Sequence, residues 1–326
     1  MADSVPVVLI CGQVPRNAIG TDAFQEAPVF NIMSACAKKA FLVLDPEELE
    51  ATVRTAFEIA RSDRPGPVVI DVPKDVQNWK GIYKGEGLLP LRGYRERMQE
   101  LYAARMPESK TKAFFDILAK SEKPLLYAGG GVIKSDASRE LRQFATTFNI
   151  PVVTTLQAIG SFDTTHPLSL HMLGMHGTAY ANYAVEDCDF LIAVGARFDD
   201  RVTGKISEFL PNAKNIAHLD VDATEIGKVK QVTWSHVADA RSGLQDLLAA
   251  GRGFRKDFSA WVSTVGKLKK EHPLDYDREH DYVQPYYVLE CLNKITEGNA
   301  IICTGVGQHQ MWAAQYLDYK NPRTFL

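Results

Sequence analysis

Short, nearly unbroken apolar runs that each stop at a glycine or proline constrain this chain more than any other feature. Phe190-Leu-Ile-Ala-Val194 halts at Gly195, Pro124-Leu-Leu-Tyr-Ala128 at Gly129-Gly130-Gly131, and Val68-Val-Ile-Asp-Val72 at Pro73. Runs without alternation suit strands covered on both faces, as in parallel sheets. Segments of helical period lie between them. The order strand, turn, helix, strand therefore predicts an α/β fold built on doubly wound parallel sheets.

Taken along the chain, Ser4–Ile10 reads as a fully buried parallel strand ending in the turn Cys11–Pro15. Asp45-Pro46-Glu47-Glu48 reads as a helix start, with Asp45 able to cap, Pro46 in the first turn and Glu48 placed for the reciprocal contact. The helix that follows carries Leu49, Val53, Ala56, Phe57 and Ala60 on one face, and Arg64-Pro-Gly-Pro67 breaks it. Residues 78 to 105 lose the rhythm and read as a charged, glycine-containing linker.

A second unit then opens. It comprises a helix near 108–120, strand Pro124–Ala128, a helix from Ser135 to Phe148, strand Pro151–Thr154 and the run Phe190–Val194. Strand Ile216–Val221, a short helix at Thr224–Lys228 and a helix starting at Asp239 with Leu244, Leu247 and Leu248 as its stripe complete it. The pattern resembles a six-stranded doubly wound sheet. Helices around Phe258–Lys269 and from Gln284-Pro285 lead to a last strand at Ala300–Thr304. Because a buried parallel strand needs neighbours on both edges, both termini read as cut.

Several function classes are disfavoured. At 326 residues the chain is long enough for two or three domains, and its net charge of -3 gives no footprint for nucleic acid or a membrane surface. The five cysteines lack paired spacing, so neither a metal cage nor a disulfide framework is suggested, and a reducing compartment fits. No apolar run reaches the ~18 residues of a membrane span. There is no G-x-S-x-G, P-loop or H-E-x-x-H motif.

Ligands of open parallel sheets sit at the carboxyl ends of the strands. Arg197, Phe198, Asp199, Asp200 and Arg201 arrive there, either as a solvated loop or as a ligand rim; the glycines beside them favour the rim. Gly129–Gly131 is either a tight turn needing positive φ or a place where backbone amides approach a phosphate. Asp220 is placed to accept from ribose hydroxyls, Asp222 reads as a cap, and Asp239 as a cap, a nucleoside contact or both. His171 and His176, five apart, lack the spacing of a helical zinc pair, while Cys188 and Cys303 read as core thiols. Gly305-Val-Gly-Gln-His-Gln310 offers a phosphate lip through Gln308 and His309.

Longer strings carry a resemblance. They are Gly12-Gln-Val-Pro15 with Ile19–Glu26, Arg64–Pro67 with Asp71–Asp75, Ser169–Gly177, Gly195–Gly204 and Val306–Trp312. In this order they resemble the large catalytic subunit of acetohydroxyacid synthase (acetolactate synthase), a thiamine-diphosphate enzyme, across nearly the whole chain. The resemblance implies residues 1–78 as the C-terminal half of a pyrimidine-binding domain, 79–100 as a linker and 101–255 as a complete central FAD-binding domain. It implies 256–279 as a second linker and 280–326 as the start of a diphosphate-binding domain.

The cofactors implied are thiamine diphosphate, Mg2+ and FAD. Flavin contacts would come from Arg64, Gly130, Thr155, Leu156, Leu173, Gly174, Met175, His176, Gly195, Ala196, Arg197, Phe198, Asp199, Asp220, Val221 and Asp239. Gln25 would approach the thiamine cofactor, and Gln308 and His309 its diphosphate. Pro15, Ala23, Phe24, Lys38, Lys74, Met175, Asp200 and Arg201 would line the substrate channel. Asn17 stands where a second arginine often follows Arg16, and Ala238 where a glycine often precedes the acid.

The implied chemistry is that of a transferase of branched-chain amino acid biosynthesis. Pyruvate is decarboxylated and its two-carbon unit passes to a second 2-ketoacid, pyruvate or 2-ketobutyrate. The implied partners are a second catalytic subunit and a regulatory small subunit, with neither nucleic acid nor membrane. The implied location is bacterial cytoplasm, or a plastid or mitochondrion. The family's catalytic glutamate would lie before Ala2 and its magnesium segment after Leu326, so neither catalytic nor metal residues are expected here, and the chain alone is expected to be inactive. The rivals are another thiamine-diphosphate carboligase or oxidase, and a non-catalytic flavin-binding remnant. Met175-His176, Phe198–Arg201 and Gln308–Trp312 favour the synthase.

Overall fold

All strand pairs among the described residues are parallel, which agrees with the fold class read from the apolar runs. The computed structural model describes residues 1–279 and 281–326. It divides into two units, Met1–Leu101 and Tyr102–Leu326.

In the first unit β1 (Val8–Gln13), α1 (Val29–Ser34), β2 (Lys39–Leu42), α2 (Leu49–Arg61), β3 (Val68–Pro73) and α3 (Lys74–Gln77) follow one another, and α4 (Tyr94–Ala103) comes next in the chain. The sheet has the order β1-β3-β2, so the strand with the purest apolar run is central and buried throughout. The Asp45 carboxylate accepts from the Glu47 amide at 2.9 Å and starts a 3-10 turn that leads into α2.

Two expectations need correction here. The strand read at Ser4–Ile10 begins at Val8 and is an edge, with Ile10 66% exposed, because it pairs only with β3. The buried face of α2 is Thr52, Thr55, Ala56, Ile59 and Ala60, leaving Phe57 outside. Small threonines can lie close to β3, and the Thr55 hydroxyl also accepts from the Leu89 amide at 2.9 Å.

The second unit contains α5 (Glu108–Lys120), β4 (Pro124–Ala128), α6 (Gly130–Lys134), α7 (Ser138–Phe148), β5 (Val152–Thr154), β6 (Ser169–Met172) and α8 (Ala179–Asp187). It continues with β7 (Phe190–Val194), α9 (Asp200–Thr203), β8 (Asn215–Asp220), β9 (Trp234–Val237), α10 (Ala240–Ala250), α11 (Ser259–Glu271), α12 (Pro285–Thr296) and α13 (Gln308–Tyr316). The sheet order is β6-β5-β4-β7-β8-β9. The chain winds outward from β4 to β6, returns to β7 and winds the other way, so the topological switch lies between β4 and β7. Each face carries its own core, one around Phe114, Leu126, Phe144, Phe190 and Leu244, the other around Leu125, Tyr127, Leu191 and Trp261.

Differences from the sequence reading sit at edges and turns. The helix read over Ser135–Phe148 begins at Ser138 as α7, and a separate short helix, α6, precedes it, the two parted where Asp136 takes a left-handed φ of 56°. Thr224–Lys228 is a turn, since the Asp222 carboxylate accepts from the Thr224 amide at 2.9 Å and hydroxyl at 2.6 Å, and Gly227 has φ 72°. Such local bonds compete with helix. The edge strands β6 and β9 carry no apolar run because one flank of each is free of the ladder. Ala300–Thr304 shrinks to a single bridge between Ile302 and Phe325, with Ile301 66% exposed.

Residues 281–326 fall within the second unit, where Ala313, Leu317 and Tyr319 pack with Ile159 and Met172; the boundary read at 280 lies outside the described residues. No described helix is long and apolar enough to cross a membrane.

Candidate functional site

Because the six strands of the second unit are parallel, all release the chain at one edge. β4 leads to Gly129–Gly131, β5 to Thr155 and Leu156, β6 to Leu173–His176, and β7 to Gly195–Asp199. β8 ends on Asp220, followed by Val221, and β9 leads to Asp239. Every position that the resemblance assigns to a flavin, apart from Arg64, therefore lies at the carboxyl edge of one sheet.

At the switch point, backbone meets backbone. The Gly129 amide donates to Val194 O at 2.9 Å, the Gly131 amide to Gly195 O at 3.0 Å, and the Gly195 amide to Leu219 O at 2.8 Å. A Cβ on Gly129 would collide with Gly195 O, and one on Gly131 would stand 2.7 Å from Gly195 Cα. Positive φ occurs at Gly195 (58°) but at none of Gly129–Gly131. Gly129 and Gly131 thus serve close approach to the β7 loop, Gly130 faces Gln157, and the tight-turn reading of the three does not hold.

Beyond Gly195, Phe198 takes φ 56°, a strained backbone for a bulky residue, yet its ring is buried. It sits edge-on to Tyr127 at 5.5 Å and to His218 at 5.2 Å, two residues flanking Ala193 in the β4–β7–β8 register. Burial pushes the Tyr127 phenol well above its ordinary range. This clasp sets the loop in which Arg197 pairs with Asp199 at 3.1 Å and Asp199 caps α9 through the Arg201 amide at 3.1 Å. The side chains of Asp200 and Arg201 stay 79% and 72% exposed.

The polar groups of the edge have the chemistry a nucleotide cofactor needs. Thr155 Oγ1 is buried with no hydrogen-bond partner. One oxygen of the buried Asp220 carboxylate accepts from the Asp222 amide at 2.9 Å, and the other lies 3.7 Å from His218 Nε2, too far for a hydrogen bond. Asp239 caps α10 through the Arg241 amide at 3.0 Å, and burial raises its carboxyl above the usual range.

The turn after β6 is locked from three sides. Gly174, at φ 95°, packs so that a Cβ would stand 2.6 Å from Arg201 O, and the Met175 amide donates to that same oxygen at 2.9 Å. Asn182 of α8 bonds both backbone groups of Gly174, and Gln315 of α13 donates to His176 O at 2.7 Å. Met175 remains 60% exposed. Just before the turn His171 takes φ 61°, with Nδ1 2.7 Å from the Tyr180 hydroxyl. Burial, aided by the Lys269 cation, drops its pKa to about 4.

Gln308 and His309 open α13 behind Gly307, whose φ is 153°. No cluster of three or more His, Cys, Asp or Glu side chains suited to a metal occurs among the described residues.

The remaining assigned positions belong to the first unit. Gln25 is left-handed at φ 67° and Phe24 is 91% exposed, in a loop shaped by Glu26, which accepts from the Gly20 amide at 2.5 Å and the Ala23 amide at 3.2 Å. Pro15 precedes the 3-10 turn Arg16–Ala18, and Lys74 opens α3. Arg64 donates to Ser4 Oγ at 3.0 Å and Met1 O at 3.3 Å. Lys38 donates to Ile59 O at 2.7 Å and Ser62 O at 2.5 Å, so its ammonium caps the carboxyl end of α2. Lys38→Met should therefore destabilise α2 by about 1.5 kcal/mol, seen as roughly tenfold faster amide hydrogen exchange there. Unchanged exchange would refute the capping role.

Sequence reasoning missed Asn182, Gln315 and the Tyr127–His218 clasp. No local spacing signals them, since each acts on a residue that folding alone brings near.

The strand order, with its polar residues gathered at the carboxyl edge, places the second unit in the doubly wound α/β class whose ligands bind across the switch point. More narrowly, residues 111–247 match the family model for the thiamine pyrophosphate enzyme central domain. The chain is 48% identical over 330 residues to acetolactate synthase 1, chloroplastic, of Nicotiana tabacum, an alignment covering 100% of the chain and 48% of that relative. It is 45% identical over 331 residues to acetolactate synthase, chloroplastic, of Arabidopsis thaliana, covering 100% and 48%. Against the acetolactate synthase large subunit of Corynebacterium glutamicum it is 46% identical over 328 residues, covering 99% and 51%. The chain spans about half the length of the curated relatives it matches, and it is similar to the acetolactate synthases over that half.

Proposed function

We propose that the second unit holds FAD across the carboxyl edge of its sheet and that the chain serves acetolactate synthase chemistry, joining the two-carbon unit of pyruvate to a second 2-ketoacid. The observation that carries this reading is the convergence of all six strand ends on the assigned flavin positions. The fit is chemical as well: Thr155 Oγ1 is a buried hydroxyl awaiting a partner, and Asp220 is a carboxylate at a strand end, suited to ribose hydroxyls. Arg197 and Asp199 hold the loop that would flank the flavin.

Thiamine diphosphate with Mg2+, when bound, supplies the electron sink for decarboxylation. Gln25, Gln308 and His309 are the residues proposed to hold it. Pro15, Ala23, Phe24, Lys38, Lys74, Met175, Asp200 and Arg201 are proposed for the substrate channel. For Lys38 that role requires its ammonium to leave the end of α2. Acceptance of 2-ketobutyrate, a second catalytic subunit and a regulatory small subunit complete the reading, as does a plastid, mitochondrial or bacterial cytoplasmic location.

The test is flavin binding by the purified chain, followed by fluorescence quenching. The expected result is saturable binding that Asp220→Ala weakens by roughly 10-fold to 100-fold, the loss of one or two hydrogen bonds to a charged acceptor. No flavin binding by the unaltered chain would overturn the reading, and an unchanged Asp220→Ala affinity would remove that residue from the site. Acetolactate formation from pyruvate with thiamine diphosphate, Mg2+ and FAD reads out the activity itself.

A further inference from the structure

We infer that Asn182 is a positioning residue for the cofactor edge, setting the turn through which the end of β6 meets its ligand. Asn182 Oδ1 accepts from the Gly174 amide at 2.8 Å, and its Nδ2 donates to Gly174 O at 3.0 Å. One side-chain amide thus satisfies both polar groups of a single residue, and this complementarity fixes which way the amide faces. The peg is rigid, because α8 is capped by Thr178 and buried at Tyr180, Ala181, Ala184 and Val185.

What it holds matters for three neighbours. Gly174 abuts Arg201 O, the next amide donates to that same oxygen, and His176 O receives Gln315 from α13. Fixing Gly174 therefore fixes the Leu173–His176 turn against both the α9 loop and α13. The Gly174 carbonyl also accepts from the Gly177 amide at 2.9 Å, whereas the Gly174 amide donates to Asn182 Oδ1, so the α8 side chain is what ties the amide side of the turn. A site built on such a turn is only as well placed as the groups that support it. This inference rests on the reading that the turn contacts flavin.

Asn182→Ala and Asn182→Asp in the full chain test it, with FAD affinity measured at pH 8 and pH 5.5 and the visible circular dichroism of bound flavin recorded. Alanine should weaken FAD by roughly 10-fold to 100-fold at both pH values, from the loss of two hydrogen bonds. Ionised aspartate can accept from the Gly174 amide but repels its carbonyl, so it should be as weak at pH 8. Protonated aspartic acid restores both an acceptor and a donor. The Gly174 carbonyl disfavours the ionised form, so the variant's affinity, relative to the unaltered chain at the same pH, should recover by about twofold or more at pH 5.5, together with the flavin dichroism. A merely structural loss would show no such recovery. If alanine prevents folding, the aspartate variant decides alone. FAD affinities within twofold of the unaltered chain, or an aspartate variant without acid recovery, overturn the inference while leaving the flavin reading intact. Absence of flavin binding in the unaltered chain sinks both.

Discussion

Gly129→Ala should lower the melting temperature of the second unit by roughly 6–12 °C and abolish flavin binding. The added methyl collides with Gly195 O and comes within 2.5 Å of Ala196 Cα, both on a backbone that is itself pinned through the Gly195 amide to Leu219 O. A flexible side chain could swing away, but main chain at a sheet switch point cannot move without breaking the Gly131–Gly195 bond. Overpacking of this kind costs about 3 kcal/mol, and each kcal/mol shifts a domain of this size by about 2–4 °C. Gly253→Ala is the matched control, because a Cβ there meets nothing within 4 Å and φ is not positive. It should stay within about 2 °C of the unaltered chain. Equal melting temperatures for the two variants would show that the switch-point loop is free to relax.

The second large effect is acid sensitivity centred on His171. In the folded chain its pKa is about 4, below its ordinary 6.5, because burial and the nearby Lys269 cation disfavour the imidazolium. Between these values the unfolded chain binds the proton and the folded chain does not, so stability is full above pH 6.5 and is lost as pH falls toward 4. The loss reaches about 2 kcal/mol by pH 4.5. Carboxylates titrate over part of the same range, so the comparison is with His171→Asn, which cannot titrate and tolerates the left-handed φ of 61°. Urea unfolding followed by helical circular dichroism should show the variant weaker at pH 7.5, where it lacks the Tyr180 contact, and the gap narrowing by about 2 kcal/mol at pH 4.5. A gap independent of pH would mean that His171 is protonated in the folded chain.

Both predictions concern positions the sequence had already drawn attention to, but for reasons it could not supply. Gly129–Gly131 is a glycine cluster after a strand, and the need for glycine at Gly129 and Gly131 comes from Gly195, more than sixty residues on, rather than from their own φ. The spacing of His171 and His176, with Met172 and Met175 beside them, argues against a metal ligand. The left-handed backbone of His171 and its bond to Tyr180 appear only once β6 is laid at the edge of the sheet. The resemblance points Lys38 toward a substrate channel, and in the folded first unit its ammonium is engaged at the end of α2.

The sequence alone determined the α/β class and the central strands, because runs such as Val68–Val72, Pro124–Ala128 and Phe190–Val194 must be buried whatever surrounds them. It also carries the similarity to the acetolactate synthases, since identity along a whole chain survives where any one motif would be ambiguous. Only the tertiary structure decided which strands are edges, why the switch-point glycines cannot carry a side chain, and that Asn182 holds Gly174. These depend on contacts between distant residues, and a local pattern of polar and apolar side chains carries no distance between them.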